Sequence, residues 1–205
     1  MMKARAHHYF SNDSSPSSEF GWLSLAQHYG APTRLLDCSE NPFAALYFAT
    51  RDFLNCYSDF CLWCFNFRVI NLRCSKMVSE RSGIDTQGMI DRDPDGFFDI
   101  VEKLPDSKKV GLAWIGEPRR RNVRIERQAG TFLLTAQPNS RIEDLLNTSI
   151  FENAYNKKVI PSDLRIKIVR LLLRSSTTGS TMFNDLAGLG SDIYDQLALF
   201  VNHKK

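Results

Sequence analysis

Between residues 27 and 37 the chain places Gln27, His28, Tyr29, Thr33, Arg34 and Asp37, and Asn41 follows shortly after. All of these side chains can hydrogen-bond. Arg34 supplies a planar, permanently charged fork that fits phosphate or carboxylate oxygens two at a time. Ser39 or Asn41 can cap a helix, and Pro42 suits its first turn. The start of such a helix carries unpaired N–H groups and a partial positive charge, so it suits anions such as phosphate. The same residues also describe a hydrogen-bonded hinge. Arg34 and Asp37 are three apart and can pair across a turn. Thr33 can bond backbone, and His28 can belong to a satisfied network. The residues alone leave both readings open.

The elements that would carry this block follow from periodicity. Trp22, Leu25, Ala26 and Tyr29 recur at i, i+3, i+4 and i+7, which predicts a helix over 19–30 with that apolar face and Gly30 as its stop. Pro32 pushes Ala31 out of helical geometry and gives a turn. Phe43 to Ala49 are apolar nearly all round, so the helix after Asn41 is expected to be buried on most sides, with Tyr47 in the core. Residues 59–70 alternate, with Cys61, Trp63, Phe65, Phe67 and Val69 on one face of an expected interior strand. The pattern over 75–109 is weak, and DRDPDG reads as a turn.

KVGLAWIG (109–116) reads as a second strand. Residues 122–138 read as two extended runs meeting near Ala129–Gly130, which puts Glu126 and Gln128 on one face. KKVIP is a short strand ended by Pro161, and Ser162 is the expected cap of the next helix. Leu164, Ile168, Leu171 and Leu172 form that helix's expected core face, with Lys167, Arg170 and Arg174 as a basic stripe. Two more helices close the chain. The fold class is α+β: a mixed, mainly antiparallel sheet flanked by helices, with a helical C-terminal third. One domain is expected over 19–205, preceded by a mobile segment over 1–18.

Bulk composition excludes little. A net charge of +3 over 205 residues does not by itself imply nucleic acid. No stretch is apolar enough to span a bilayer, and the start lacks the apolar middle of a signal peptide, so the expected location is cytoplasmic. Five cysteines on such a chain are expected to be free thiols, with Cys61 and Cys64 buried in the core. Cys61 and Cys64, three apart on a strand, point to opposite faces, and no metal site is expected. RRRNVRIER holds Arg119, Arg120, Arg121, Arg124 and Arg127. With the Lys167 stripe it makes a candidate patch for nucleic acid or an acidic protein, or else an ordinary solvated face.

The run WLSLAQHYGAPTRLLDCSENPFAALYFAT closely resembles the signature block of the FRG domain, nearly without interruption from Trp22 to Ala49. ERQAGTFLL resembles that family's Q-x-G-x-F strand, VIPSDLRIKIVRLLL its Ile-Pro plus helix, and STMFNDLAGLGSDI its closing S-x-F-x-D-L segment. Two features depart from the pattern. The family's D-W-T stands here as Asp37, Cys38 and Ser39, and no Phe-Arg-Gly string precedes residue 22, as in an N-terminally short member.

The family pattern is similar to the ADP-ribosyltransferase architecture, and it implies a bacterial or phage-associated setting, phage defence included. That architecture implies NAD, or another nucleotide, at the Gln27–Asp37 block. Releasing nicotinamide passes through a ribosyl cation, which needs a carboxylate, pyrophosphate donors and a stacking aromatic. The resemblance assigns Glu126, Gln128 and His28 to catalysis. It assigns Gln27, Tyr29, Thr33, Arg34, Asp37 and Asn41 to the cofactor. Against these stand plainer roles: Arg34 paired with Asp37, and Glu126 paired with Arg124 or Arg127 on a solvated face.

Overall fold

The computed structural model describes residues 15–51, 58–183 and 185–202. Cys56 and most of the 1–18 segment lie outside them. In chain order the elements are α1 (Glu19–His28), β1 (Leu35–Ser39), α2 (Pro42–Thr50), β2 (Phe60–Phe65), α3 (Phe67–Ser82), α4 (Met89–Arg92) and α5 (Pro94–Lys103). Then come α6 (Asp106–Lys109), β3 (Ala113–Gly116), α7 (Val123–Arg127), β4 (Gly130–Thr135) and α8 (Ile142–Leu145). The chain closes with β5 (Tyr155–Ile160), a 3-10 turn (Ser162–Leu164), α9 (Arg165–Arg174), α10 (Gly179–Phe183) and α11 (Leu186–Asn202).

The class is α+β, as the sequence predicts. The strands form two small sheets, one ordered β1-β4-β3 and one pairing β2 with β5. β3 and β4 run antiparallel, with Trp114 opposite Leu134 and Ile115 opposite Leu133. β4 is central, and Thr131 to Thr135 are all buried. The chain divides into two units. The first comprises Met1–Asp37, Phe65–Arg121 and Thr131–Tyr155; the second comprises Cys38–Cys64, Asn122–Gly130 and Asn156–Lys205.

In the first unit, Ser18 caps α1 by accepting the Gly21 N–H at 3.0 Å. Its hydroxyl also donates to Asp95 at 2.7 Å. The buried face of α1 is Phe20 and Ser24, not the expected Trp22–Tyr29 stripe, and Tyr29 is 68% exposed. Phe20 decides this rotation: it stacks on Phe98 with centroids 5.2 Å apart and meets Phe132 edge-on. The expected strand over 59–70 stops at Phe65. Asn66 then caps α3 by accepting the Val69 N–H. α3 hid from the periodicity because Asn71 and Ser75 share its buried face with Ile70, Cys74 and Val78.

Asn71 has a reason to be buried. Its carboxamide donates to the Ile115 carbonyl at 2.7 Å and accepts the Ile115 N–H at 2.8 Å, as a neighbouring strand would. DRDPDG is not a turn but the start of α5. Asp93 accepts the Gly96 N–H, and Pro94 occupies the first turn, where its missing N–H costs nothing. Phe97 and Phe98 from α5 pack edge-on against Trp114 of β3.

In the second unit, α2 buries Ala44, Tyr47 and Thr50 along one face, while Phe43 and Phe48 are exposed. It is therefore buried on one side rather than on most sides. Ala44 and Tyr47 join Leu172 of α9 and Met182 of α10 in a core cluster. Ser162 does not cap α9; its N–H instead donates to Asp59 at 2.9 Å. The buried face of α9 is Arg165, Val169 and Leu172, whereas Leu164 and Leu171 are exposed. Arg165 takes the core position because its guanidinium donates to the Ala49 and Ser58 carbonyls and lies over the Phe60 ring.

The closing helices meet at two glycines. A Cβ on Gly179 would strike the Gly188 carbonyl, and one on Gly188 would strike Gly179. The buried Asp192 carboxylate of α11 accepts from the Gly179 and Ser180 N–H groups and from the Ser180 hydroxyl. It thus satisfies the start of α10 from a neighbouring helix, which no local spacing announces.

Candidate functional site

The first unit resolves the polar block into a closed network. Gln27, in the last turn of α1, donates its carboxamide to the Leu35 carbonyl at 3.0 Å. The Thr33 hydroxyl donates to the Gln27 carboxamide oxygen and accepts the Leu35 N–H. The turn between α1 and β1 is thereby held at both ends. Gly30, at φ +78°, supplies the left-handed residue that lets the chain leave the helix. His28 meets Tyr29 edge-on at 4.9 Å.

Arg34 does not pair with Asp37. One terminal nitrogen donates to the Ala136 carbonyl at 2.9 Å, and the other reaches Glu102 of α5 at 2.5 Å. The guanidinium lies 5.2 Å from the Phe98 ring centroid. Its side chain is 9% exposed. A guanidinium enclosed in this way has little left to offer a phosphate. Asp37 is exposed and has no ion-pair partner among the described residues. The expected pairing needs a turn between the two, but β1 is extended from Leu35 onward, and on extended backbone residues three apart point to opposite faces.

The second unit holds Asn41, Glu126 and Gln128. The Asn41 side chain accepts the Phe43 N–H at 2.9 Å, and its carbonyl accepts the Ala45 N–H. Pro42 has no N–H. At most the Ala44 amide is left at that helix start for an anion. The Ser39 hydroxyl donates to the Gln128 carbonyl at 2.6 Å. The Glu40 N–H donates to the Ala129 carbonyl at 2.9 Å. The Gln128 carboxamide donates to the Met182 carbonyl at 3.1 Å.

Glu126 and Gln128 do not share a strand face. Glu126 lies on helix α7, and Gln128 is its C-terminal cap. The alternation of Val123 and Ile125 imitates a strand, but Asn122 accepts the Ile125 N–H and starts a helix instead. Glu126 is exposed and pairs with neither Arg124 nor Arg127. Ala129, with φ +44°, occupies the left-handed region that glycine ordinarily fills. Within the arginine run, Arg121 pairs with Glu117 at 2.5 Å, and Arg124 lies 4.6 Å from the Phe183 centroid.

Three features of the second unit were not anticipated. Phe183 receives Arg51 as well as Arg124, and Arg51 also donates to Ser191 at 3.1 Å. Tyr47 is the buried core residue expected, yet its hydroxyl makes no hydrogen bond of normal geometry. Burial raises the Tyr47 phenol above its ordinary pKa, against the lowering effects of Ser191 and Arg51 beside it. The cleft at this point, between Tyr47, Arg51, Leu172, Thr177 and Asp195, has a volume of about 10 Å³, room for about one water. The third feature is the Lys157 ammonium, 5.1 Å from the Trp63 ring centroid on the β2–β5 ribbon. Aromatic and lysine positions on facing strands are the only sequence signal for it.

Cys61 is half-buried and Cys64 exposed, so they are not the core thiols expected; Cys74 is buried. Burial pushes the Cys74 thiol up to about 12. Among the described residues no group of His, Cys, Asp or Glu is placed to hold a metal ion. None of the described helices is long and apolar enough to cross a membrane.

Together these features define an α+β protein whose block of polar residues between α1 and α2 is largely hydrogen-bonded within the fold. The FRG domain model matches residues 1–55, which supports the resemblance carried by Trp22 to Ala49. No match was found among curated proteins or among solved structures.

Proposed function

We propose that this FRG-domain protein is a non-catalytic binding module whose second unit meets a polyanion, with the phosphate backbone of nucleic acid as the first candidate. The observation that carries the reading is on α9. Lys167, Arg170 and Arg174 share one face, opposite buried Arg165, Val169 and Leu172. None of the three has a carboxylate partner among the described residues. Arg34, the cation of the sequence block, is by contrast already matched by Glu102. Exposed Lys158 and Arg127 belong to the same unit. Cations left without carboxylates release counterions when they meet phosphates, and binding then weakens with salt.

The test is retention of single-stranded and duplex DNA or RNA across a salt series. Replacing Lys167, Arg170 and Arg174 together by Glu is expected to abolish retention at moderate salt. Retention that is unchanged by this triple replacement contradicts the reading. Retention of an acidic protein but no nucleic acid, lost in the same variant, moves the assignment to the other polyanion.

A second reading keeps NAD or another nucleotide, with transfer chemistry. It is favoured by the left-handed Ala129, because backbone strain of about 1–3 kcal/mol persists mainly at working sites. The exposed Glu126 carboxylate would stabilise the developing cation, and Gln128 would position it. NAD-dependent release of nicotinamide, lost in Glu126→Gln, is the result that would favour this reading over the first.

A further inference from the structure

β2 and β5 form a two-stranded ribbon in the second unit. Neither of its sequences, FCLWCF and YNKKVI, contains an acidic residue. Trp63 of β2 is exposed, as are Lys157, Lys158 and Val159 of β5. Tryptophan is highly buried on average. Here Trp114 is buried and Trp22 half-buried, but Trp63 is 41% exposed. The Lys157 ammonium lies 5.1 Å from the Trp63 ring centroid, so cation and ring share one face of the ribbon. Val159, two residues further along the strand, extends that face. Neither Lys157 nor Lys158 has a carboxylate partner among the described residues.

A flat ring beside an unmatched cation selects its occupant. An apolar partner leaves the lysine charge unanswered, and a bare phosphate leaves the ring unused. A nucleotide of a single strand answers both, with its base on the indole and its phosphate on the ammonium. A duplex keeps its bases stacked on one another and offers this face only phosphates. The lysine stem is flexible, so a base that stacks on Trp63 displaces the ammonium towards that nucleotide's own phosphate. The ribbon is also fastened to the helix that carries the basic stripe. The Ser162 N–H, just past β5, donates to Asp59, just before β2, at 2.9 Å. Arg165 of α9 lies 4.5 Å from the Phe60 ring centroid at the start of β2.

We propose that the second unit takes its polyanion as single-stranded nucleic acid, with one base stacked on Trp63 and Lys157 on its phosphate. This specificity rests on the reading of the α9 stripe as a phosphate-binding face.

Anisotropy titrations of the full chain test it, with a labelled oligothymidylate, an abasic oligomer of equal length and a duplex at one salt concentration. The oligothymidylate is expected to bind tightest and to quench tryptophan emission. Trp63→Ala is expected to lower its affinity by about tenfold, as for the loss of one stacked base, and to leave the abasic oligomer and the duplex unchanged. Trp63→Phe is expected to keep most of the affinity and to lose the quenching. Lys157→Gln is expected to weaken the oligothymidylate and the abasic oligomer alike. Circular dichroism of each variant guards against unfolding. Equal affinity for the oligothymidylate and the abasic oligomer overturns the proposal, as does a preference that Trp63→Ala retains. If the triple replacement of Lys167, Arg170 and Arg174 still abolishes binding in that case, the polyanion reading survives without it. A chain that binds none of the three overturns this proposal together with the nucleic-acid reading.

Discussion

Arg34 Nη2 lies 2.5 Å from Glu102 Oε1, across 68 positions of sequence. The pair ties the chain entering β1 to the end of α5. The second contact, from Arg34 to the Ala136 carbonyl, ties it to the end of β4. Removing Arg34 leaves that carbonyl without its donor and removes the stem packed on Phe98. Arg34→Ala is expected to cost about 2–3 kcal/mol in urea unfolding. Glu102 is 37% exposed, so Glu102→Gln should cost less, about 1 kcal/mol after solvent screening. Arg34→Lys should not rescue, since an ammonium on a flexible stem does not span both acceptors.

Ala129 adopts φ +44° between Gln128 and β4. A left-handed conformation costs an L-residue about 1–2 kcal/mol, which glycine avoids while adding freedom to the unfolded chain. Ala129→Gly is expected to raise stability by about 0.5–1 kcal/mol, read from the denaturation midpoint. Loss of stability would show that the methyl group packs on something that offsets the strain.

Gly179 and Gly188 offer a sharper contrast, because a Cβ on either meets the other's backbone. Gly179→Ala is expected to be destabilising by about 2 kcal/mol or more, through overpacking that backbone cannot relieve. Thermal melting checks this. An unchanged melting temperature would mean that α10 and α11 separate easily.

Tyr47 and Cys74 make the stability fall in alkali. Both are neutral acids whose pKa is raised by burial, Cys74 from 9.0 to about 12. Above pH 9 the unfolded thiol loses its proton while the folded one keeps it. The folded state then binds more protons, and stability declines as pH rises through the window from 9 to about 12. Tyr47 adds to the decline above its ordinary value of 10.0. Tyr47→Phe removes a buried hydroxyl that lacks a normal hydrogen bond and is expected to be neutral or stabilising by up to about 1 kcal/mol. In the folded chain the exposed Cys64 should react quickly with a thiol reagent and Cys74 only on unfolding.

Local signals in the sequence were reliable where the physics is local. The Gly30 stop, the Asn41 cap with Pro42, buried Tyr47 and the Pro161 end of β5 depend on neighbours a few residues away. The helices between 67 and 109 were missed for two reasons. α3 hides because Asn71 and Ser75 occupy core positions, so its apolar stripe is broken. Asp93 and Pro94 announce α5 as a cap and first-turn pair, but the same residue types also suit a turn. α7 imitates a strand because two β-branched residues, Val123 and Ile125, alternate within one short turn. Glu102 as the partner of Arg34 has no local signature at all; only the fold brings α5 to β1.

The most direct measurement combines Arg34→Ala, Glu102→Gln and the double variant in a cycle of urea unfolding, with NAD added in parallel. The expected result is a loss of about 2–3 kcal/mol for Arg34→Ala, a coupling of about 1 kcal/mol between the two positions, and no dependence of melting on NAD. Parental stability in Arg34→Ala, together with an NAD-induced melting shift that the variant abolishes, would contradict it and return Arg34 to a ligand.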